Sequence, residues 1–377
     1  MSSKDACHNW FTPNRVVKGD DFFGRDNELY QLRQRLRSGQ SVIIVGERRI
    51  GKSSLLAEGY RRLADSDPEY HLLLDAQMFT TGGRLMASLT SYLKNRAPRS
   101  LQTEHQAVDT DSLVQAMNRA AGSNHRLTVF LNDLDDLDDL LARSPEVDDG
   151  RHLVSFLRSV IENGHLIVCA VAFHAIFVEP PTSMHAPLFN VFHPINLRSF
   201  DEPDAWHLLT TNSKRSGDEL TETECHFVME LAGRKPHHLQ EFGFGLFESG
   251  SFLGSAGRER LNSLEEAANH FSWAISDHWE HTLRNLSTQQ RSALISAFRE
   301  EPMNDPGSYS YLVKRGLLDE STSQFSPMGT LFHRFALELY CDSDREDAKK
   351  SINSPMRSVA ESALKAAIGA AVKAILS

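Results

Sequence analysis

Runs of consecutive apolar residues alternate with helical patterns over the first 200 positions of the chain. The apolar runs are SVIIV at 41–45, YHLLLDA at 70–76, RLTVFLND at 126–133, HLIVCAVAF at 165–173 and HPINL at 193–197. Between them, apolar residues recur every three or four positions over 26–38, 52–64, 82–97, 110–122 and 150–163. Apolar strands separated by helices are typical of a parallel sheet that helices cover on both faces. The pattern therefore predicts an α/β core over residues 20–200.

After Phe200 the pattern becomes almost entirely helical. Helical periodicity over 201–215, 219–232, 236–249 and 263–286 predicts a helical subdomain at 201–285. Residues 286–340 then show two helical patterns, a hairpin-like segment, LLDESTSQFSPM, and a closing helical pattern, TLFHRFALELY. This order of elements predicts a winged-helix domain.

Three further segments lie at the ends of the chain. Residues 1–19 are predicted to be an N-terminal arm, and the charged, polar stretch 341–355 is predicted to be a linker that ends at a proline. Residues 356–377, MRSVAESALKAAIGAAVKAILS, carry apolar residues at helical spacing and a slightly cationic polar face, which predicts an amphipathic helix. Three placements stay open for this helix: a membrane surface, association with its own copies or a partner, or packing on the core.

Composition narrows the functional classes. The formal net charge of −10 gives no support for broad binding to nucleic acid. The four cysteines are far apart in the sequence, so neither a zinc site nor a disulfide framework is indicated. The N-terminus lacks the apolar stretch of a secretory signal, and no run of about 18 apolar residues occurs. We therefore expect a cytoplasmic protein, with membrane association on activation as the one exception that the terminal helix leaves open.

The segment between the first predicted strand and the next helix matches a phosphate-binding motif. It reads GERRIGKS at 46–53 and satisfies GxxxxGK[ST] in full. Glycines let backbone N–H groups turn toward phosphates, and a lysine supplies positive charge to the β and γ oxygens. A following serine offers its hydroxyl to Mg²⁺, and the helix N-terminus adds its dipole. The predicted contacts to ATP or ADP are Gly46, Glu47, Arg48, Arg49, Ile50, Gly51, Lys52, Ser53 and Ser54, with Lys52 also catalytic and Ser53 also a magnesium ligand.

The end of the third predicted strand is the candidate position for the groups that hold magnesium and orient water. Two acids usually follow such a strand, whereas Asn132 and Asp133 follow here. An amide at position 132 can accept a hydrogen bond from a metal-bound water but brings no charge. Asp133 is therefore predicted either to be the magnesium ligand or to orient the water, and the later acids over 135–139 are assigned to solvated surface. Nucleotide binding is predicted, and hydrolysis stays open.

Three more segments occur in a fixed order with this loop. They are FGRDNEL at 23–29, GRKPHHL at 233–239 and the winged-helix-like SYLVKRGLLDES…FSPM. Taken in this order, the four segments resemble those of the bacterial STAND-type ATPases, the AAA+-related signalling NTPases that include the NACHT and NB-ARC proteins. The resemblance covers about residues 20–340. It implies a P-loop NTPase core of the ASCE/AAA+ type, followed by a helical lid and a winged helix.

The resemblance also implies roles for individual residues. Phe23, Gly24 and Arg25 would lie beside the adenine and ribose, and Pro236 would cap the base from the lid. Taken alone, Phe23 is better explained as a core aromatic, and Pro236 as the first residue of a helix; their joint occurrence favours the functional roles.

Two further positions are candidates for contact with the γ-phosphate. His174 follows the fourth predicted strand, where such proteins often carry a polar sensor, and Arg158 lies on the preceding helix, from which an arginine finger could reach a neighbouring subunit. The alternatives are a structural histidine and a solvated arginine.

Three functions remain open from the sequence. The first is a nucleotide-controlled switch that oligomerises and releases an output, in anti-phage defence or stress signalling as in the family it resembles, with the terminal helix as output element. The second is a DNA-associated AAA+ ATPase that uses its winged helix. Residues 287–340 carry five basic and six acidic side chains, a net charge of −1, which makes nucleic acid the less favoured partner. The third is a pseudo-ATPase scaffold, in which Asn132 marks lost hydrolysis and the nucleotide is structural.

Overall fold

The computed structural model describes residues 8–65, 71–75, 88, 91, 127–133, 158–164, 166–173, 191–302, 305–319 and 326–341. The chain divides into two compact units. One unit is Val16–Leu197, and the other combines Met1–Arg15 with Arg198–Ser377.

The unit Val16–Leu197 is built on a parallel sheet. The described strands are β1 (Val42–Gly46), β2 (His71–Asp75), β3 (Leu127–Asn132), β4 (Leu166–Phe173) and β5 (His193–Asn196), in the order β2-β3-β4-β1-β5. Every neighbouring pair is parallel, so the carboxyl ends of all these strands lie at one edge of the sheet. Since β4 lies between β1 and β3, the ends of β1 and β3 are two strand spacings apart, or about 10 Å. The predicted parallel α/β core is confirmed.

Helices α1 (Asp26–Arg37) and α2 (Lys52–Ala64) cover this sheet. Acidic residues in the first turn of α1 and arginines in its last turn complement the helix dipole. Both helices bury an apolar stripe in one hydrophobic cluster with the strands, whose members include Leu29, Leu32, Leu36, Val42, Ile44, Leu55, Leu56, Leu63, Phe130 and Ile167. Residues 158–162 are also helical. The cluster fixes α2 directly behind the loop that leaves β1.

The other unit is helical, as the periodicity predicts. Its first helices are α3 (Glu202–Arg215), α4 (Glu222–Ala232), α5 (Pro236–Glu248) and α6 (Gly257–Arg284). Helix α6 begins six residues before the predicted start at 263. Arg260, in its first turn, donates to Glu224 and, at 2.9 Å, to Asp218, and these contacts extend the helix beyond its apolar stripe.

Three more helices follow in the order predicted for a winged helix. They are α7 (Thr288–Phe298), α8 (Pro306–Lys314) and α9 (Gly329–Cys341). The predicted hairpin falls partly on residues 320–325, and the terminal amphipathic helix falls on 356–377; both lie outside the described residues. The winged helix and the amphipathic helix therefore stay predictions. Across the part of the chain that is described, each helix is too short or too polar to cross a bilayer.

Residues 8–15 of the predicted arm pack within the helical unit. Phe11 is only 1 % exposed and stacks on Phe247 with ring centroids 5.6 Å apart. An added Cβ at Gly243 would lie 2.2 Å from the Phe11 ring, so only glycine allows this close approach. The backbone N–H of Thr12 donates to Gln240 at 2.8 Å. This segment is therefore anchored by specific side-chain contacts.

Candidate phosphate-binding site

The loop that leaves β1 is shaped by its two glycines. An added Cβ at Gly46 would lie 2.9 Å from the carbonyl oxygen of Leu197 and 3.0 Å from Cγ2 of Ile50, so the backbone turns where no side chain fits. Gly51 has φ +99°, in the left-handed region that favours glycine, and directly precedes α2. An added Cβ there would meet nothing within 4 Å, so the space beside the helix N-terminus is open.

Lys52 reaches back across this loop. Its Nζ donates to the carbonyl oxygens of Gly46 at 2.9 Å and Glu47 at 3.0 Å. The ammonium group thus lies inside the curve of the loop, close to the first turn of α2. The first backbone N–H groups of a helix lack partners within that helix and carry its positive dipole end. A compact cation and a helix N-terminus therefore converge at one place, which is the arrangement that binds phosphate.

The two serines that follow Lys52 have different environments. The Ser54 hydroxyl accepts a hydrogen bond from the backbone N–H of Val17 at 3.2 Å, so it anchors the chain that enters this unit. Ser53 is half-buried in the first turn of α2. Ser54 thus has a structural contact that the sequence did not predict, and the magnesium role of Ser53 stays a prediction.

The four residues inside the loop divide by burial. Glu47 and Ile50 are buried, and the carboxylate of Glu47 accepts from the backbone N–H of Arg48 at 3.3 Å. Arg48 and Arg49 are exposed, and Arg49 has φ +61°. The backbone N–H of Ile50 donates to the carbonyl oxygen of Glu47 at 3.3 Å, and the phosphate contacts of all four residues stay predictions.

The segment Phe23-Gly24-Arg25 lies against the loop. Phe23 is buried, and Arg25 has φ +97°, which is rare for a residue with a side chain. The Arg25 guanidinium donates to the Ile50 carbonyl oxygen at 3.2 Å and to Oε1 of Glu28 at 3.1 Å. The structure thus brings this segment and the phosphate loop together, although the resemblance placed Arg25 beside the adenine and ribose.

Glu58 is a buried acid on α2 that the sequence analysis did not identify. Its side chain is fully buried and accepts from the Gly19 N–H at 2.9 Å and from the guanidinium groups of Arg61 and Arg62. Burial alone would raise the pKa of Glu58, but the hydrogen bonds from Arg61, Gly19 and Arg62 outweigh it and lower the pKa to about 2. The sequence signal was a lone acid on the apolar stripe of the helix, with arginines three and four residues later. Together, Glu58 and Ser54 fasten residues 17–19 to the helix that carries Lys52.

Asn132 and Asp133 lie at the carboxyl end of β3. Asp133 has φ +54°, and the Asn132 amide nitrogen donates to Oδ2 of Asp133 at 3.0 Å. The amide oxygen of Asn132 is buried and has no hydrogen-bond partner among the residues that the structure describes. Asp75, the last residue of β2, is in register with Asn132 and adds a second carboxylate at this edge. Asp75 was not among the residues predicted for the site, although an acid at the end of an apolar strand was the signal for it.

These residues fit a nucleotide-bound magnesium ion. Mg²⁺ keeps several waters and is usually held by one or two carboxylates together with substrate phosphates. Ser53 and Asp133 offer oxygen ligands, and the buried Asn132 oxygen can accept from a metal-bound water. Within the described ranges, no three histidine, cysteine or acidic side chains gather to hold a metal by themselves. A magnesium ion here would therefore depend on the phosphates for the rest of its ligands.

The remaining predicted residues have separate outcomes. Arg158 is partly exposed and pairs with Glu162, with Nε and Oε1 2.8 Å apart. Pro236 is the N1 residue of α5, and its contact with the base stays a prediction. His174 and residues 135–139 lie outside the described residues.

Comparisons with known proteins show what the core of this chain is similar to. Residues 21–169 match the family model described as AAA ATPase domain. The Walker-type ATPase PABY2304 of Pyrococcus abyssi is 17 % identical and superposes with a TM-score of 0.54 over 84 % of this chain and 97 % of its own. Aeropyrum pernix ORC1, solved in complex with DNA, is 14 % identical with a TM-score of 0.46 over 95 % of each chain. AMPPCP-bound DnaA of Aquifex aeolicus is 12 % identical with a TM-score of 0.43 over 97 % and 99 %. Among curated proteins, none matches the sequence. The domain match supports an AAA ATPase domain over residues 21–169, and the similarity to the Pyrococcus protein supports the fold alone.

Proposed function

We propose that this chain is an ATP-binding molecular switch of the STAND type, in which the loop from Gly46 to Ser54 binds ATP or ADP with Mg²⁺. One observation carries the proposal. The Lys52 ammonium is held by the Gly46 and Glu47 carbonyls within 3.0 Å, at the N-terminus of α2 and beside the open space at Gly51. A triphosphate entering this space meets the backbone N–H groups and the lysine at once.

The residues at the end of β3 set the rate of hydrolysis in this proposal. When bound, Mg²⁺ supplies positive charge that neutralises the phosphate oxygens. Asp133 brings negative charge to this edge and is the group that orients the attacking water or holds the ion. Asn132 fixes the Asp133 carboxylate through its amide N–H at 3.0 Å. Because Asn132 brings no charge where such sites usually carry an acid, we expect slow turnover, as suits a switch.

The domains after residue 200 give the switch its output. In the proposal, residues 201–285 are the lid that contributes Pro236 to the base, 286–340 are the winged helix, and 341–355 are the linker. Exchange of ADP for ATP releases an assembly-competent form, and assembly gathers several copies of the amphipathic segment 356–377. Clustering raises the avidity of weakly binding helices for a membrane or a partner without any new contact.

The experiment that tests the switch measures assembly as a function of nucleotide. Size-exclusion chromatography with light scattering compares the wild type without nucleotide, with ADP and with ATP and Mg²⁺, alongside Lys52→Ala and a chain that ends at Pro355. We expect ATP to raise the mass of the wild type and of the shortened chain but not of Lys52→Ala. A wild-type mass that does not depend on nucleotide contradicts the switch, and loss of assembly in the shortened chain contradicts the placement of the tail downstream of assembly.

A pseudo-ATPase scaffold is the second candidate, and the Asn132–Asp133 pair favours it. In that case the nucleotide stabilises the fold and is not turned over. Nucleotide binding with no measurable phosphate release over hours, together with a mass that does not change between ADP and ATP, distinguishes the scaffold from the switch.

A further inference from the structure

We propose that Arg25 positions the phosphate loop, acting through the Ile50 peptide and not through the base or ribose. The proposal rests on phosphate binding at this loop, as proposed above. It differs from the role that the family resemblance implies for the same residue.

The contact that carries the proposal is buried. The Arg25 side chain is 6 % exposed, and its guanidinium donates to the Ile50 carbonyl oxygen at 3.2 Å and to Glu28 at 3.1 Å. Glu28 lies three residues later on α1 and fixes the other side of the planar guanidinium fork. Arg25 also adopts φ +97°, a conformation that persists only where the surroundings impose it and that is frequent at functional sites. The guanidinium is therefore held in one orientation against the loop.

The direction of one peptide plane links this contact to phosphate binding. A peptide unit is planar and trans, so the carbonyl of Ile50 and the N–H of Gly51 point in opposite directions. By holding the carbonyl oxygen on the buried side, Arg25 turns the Gly51 N–H away from the protein interior. Gly51 directly precedes α2, and the space beside it is open. Arg25 thus presets the orientation of an amide at the point where phosphate oxygens would approach.

Arg25 acts on the loop mainly through the geometry of its guanidinium group and less through its positive charge. Its positive charge is offset by Glu28, whereas its fork holds two acceptors at once. A lysine at this position keeps the charge but offers a compact ammonium in place of the fork. Arg25→Lys is therefore expected to recover only part of the function lost in Arg25→Ala.

The test separates phosphate affinity from recognition of the base and ribose. Calorimetry or competition measures the binding of ATP and of inorganic tripolyphosphate, both with Mg²⁺, to the wild type, Arg25→Ala, Arg25→Lys and the control Arg37→Ala, whose side chain is exposed at the end of α1. We expect Arg25→Ala to lower the affinity for ATP and for tripolyphosphate by a similar factor of about ten. The affinities of Arg25→Lys should lie between those of Arg25→Ala and the wild type, and those of the control should stay within about a factor of two of the wild type.

Two results overturn the proposal. Weakened ATP binding with unchanged tripolyphosphate binding places Arg25 at the base or ribose, and unchanged binding of both ligands removes it from the site. A wild type that binds neither ligand contradicts the proposed function instead. Circular dichroism establishes that each variant is folded. If Arg25→Ala unfolds, Arg25→Lys takes its place in the test: similar losses of affinity for ATP and for tripolyphosphate support the proposal, and a loss for ATP alone overturns it.

Discussion

Glu58→Gln removes a buried carboxylate that connects residues 17–19 to α2 through the Gly19 N–H, and the structure allows its effect on stability to be calculated. The carboxylate accepts from Gly19, Arg61 and Arg62, which lower its pKa from 4.5 to about 2 against the opposing effect of burial. A shift of this size corresponds to about 3 kcal/mol of free energy of unfolding. The Arg61 and Arg62 side chains are 43 % and 36 % exposed, so solvent screening lowers our expectation to about 2 kcal/mol at pH 7.

The same shift fixes the pH dependence. The unfolded chain binds a proton at Glu58 near pH 4.5, whereas the folded chain does so only near pH 2. The stabilisation is therefore complete above pH 4.5 and is lost as the pH falls from 4.5 toward 2. The stability difference between wild type and Glu58→Gln should shrink over that window and be constant above it.

Urea unfolding followed by circular dichroism, from pH 7 down to pH 2.5, measures this difference. The matched control is Glu162→Gln, because Glu162 also accepts from an arginine Nε, at 2.8 Å, but its side chain is 48 % exposed. We expect the control to change the free energy of unfolding by less than about 0.5 kcal/mol. A difference for Glu58→Gln that does not vary with pH, or that the control matches, would refute the assignment of the stabilisation to this ionised carboxylate.

Three further predictions follow from particular contacts. Phe11→Ala should lower the free energy of unfolding by about 3 kcal/mol because the ring is buried, whereas Val16→Ala, at an exposed site, should change it by less than about 0.5 kcal/mol; equal effects in denaturant titrations would contradict the anchoring of the N-terminal segment. Gly46→Ala places a Cβ 2.9 Å from a backbone oxygen and should weaken ATP binding at least tenfold by calorimetry, while unchanged affinity would show that the loop tolerates a side chain there. Asn132→Asp should raise the rate of phosphate release, measured under saturating ATP, and an unchanged rate would show that the amide does not limit hydrolysis.

The sequence was sufficient where the signal is local. Strands β1, β3 and β4 are almost fully buried and appear as apolar runs, and the runs that predicted β1 to β5 match the observed strands to within one or two residues. The phosphate loop was predicted because its geometry requires glycine, lysine and serine within eight consecutive positions. The helices of the second unit were also predicted, because helical periodicity is a local signal in the sequence.

Contacts between distant positions could not be predicted in this way. Arg25 and Ile50 are 25 positions apart, and Gly19 and Glu58 are 39 apart, so their pairing depends on how α1 and α2 pack on the sheet. The early start of α6 has the same cause, because Arg260 finds its acidic partners about 40 positions earlier. Sequence spacing shows which groups can ionise or donate, but only tertiary packing decides which of them meet.

The proposed switch depends on phosphate binding by the loop after β1, and calorimetric titration of ATP with Mg²⁺ tests this binding most directly. The wild type should bind one ATP per chain, Lys52→Ala should bind at least tenfold more weakly, and Lys214→Ala, whose side chain is 73 % exposed on α3, should bind like the wild type. ATP binding of equal strength to the wild type and Lys52→Ala, or no binding to the wild type, would contradict it.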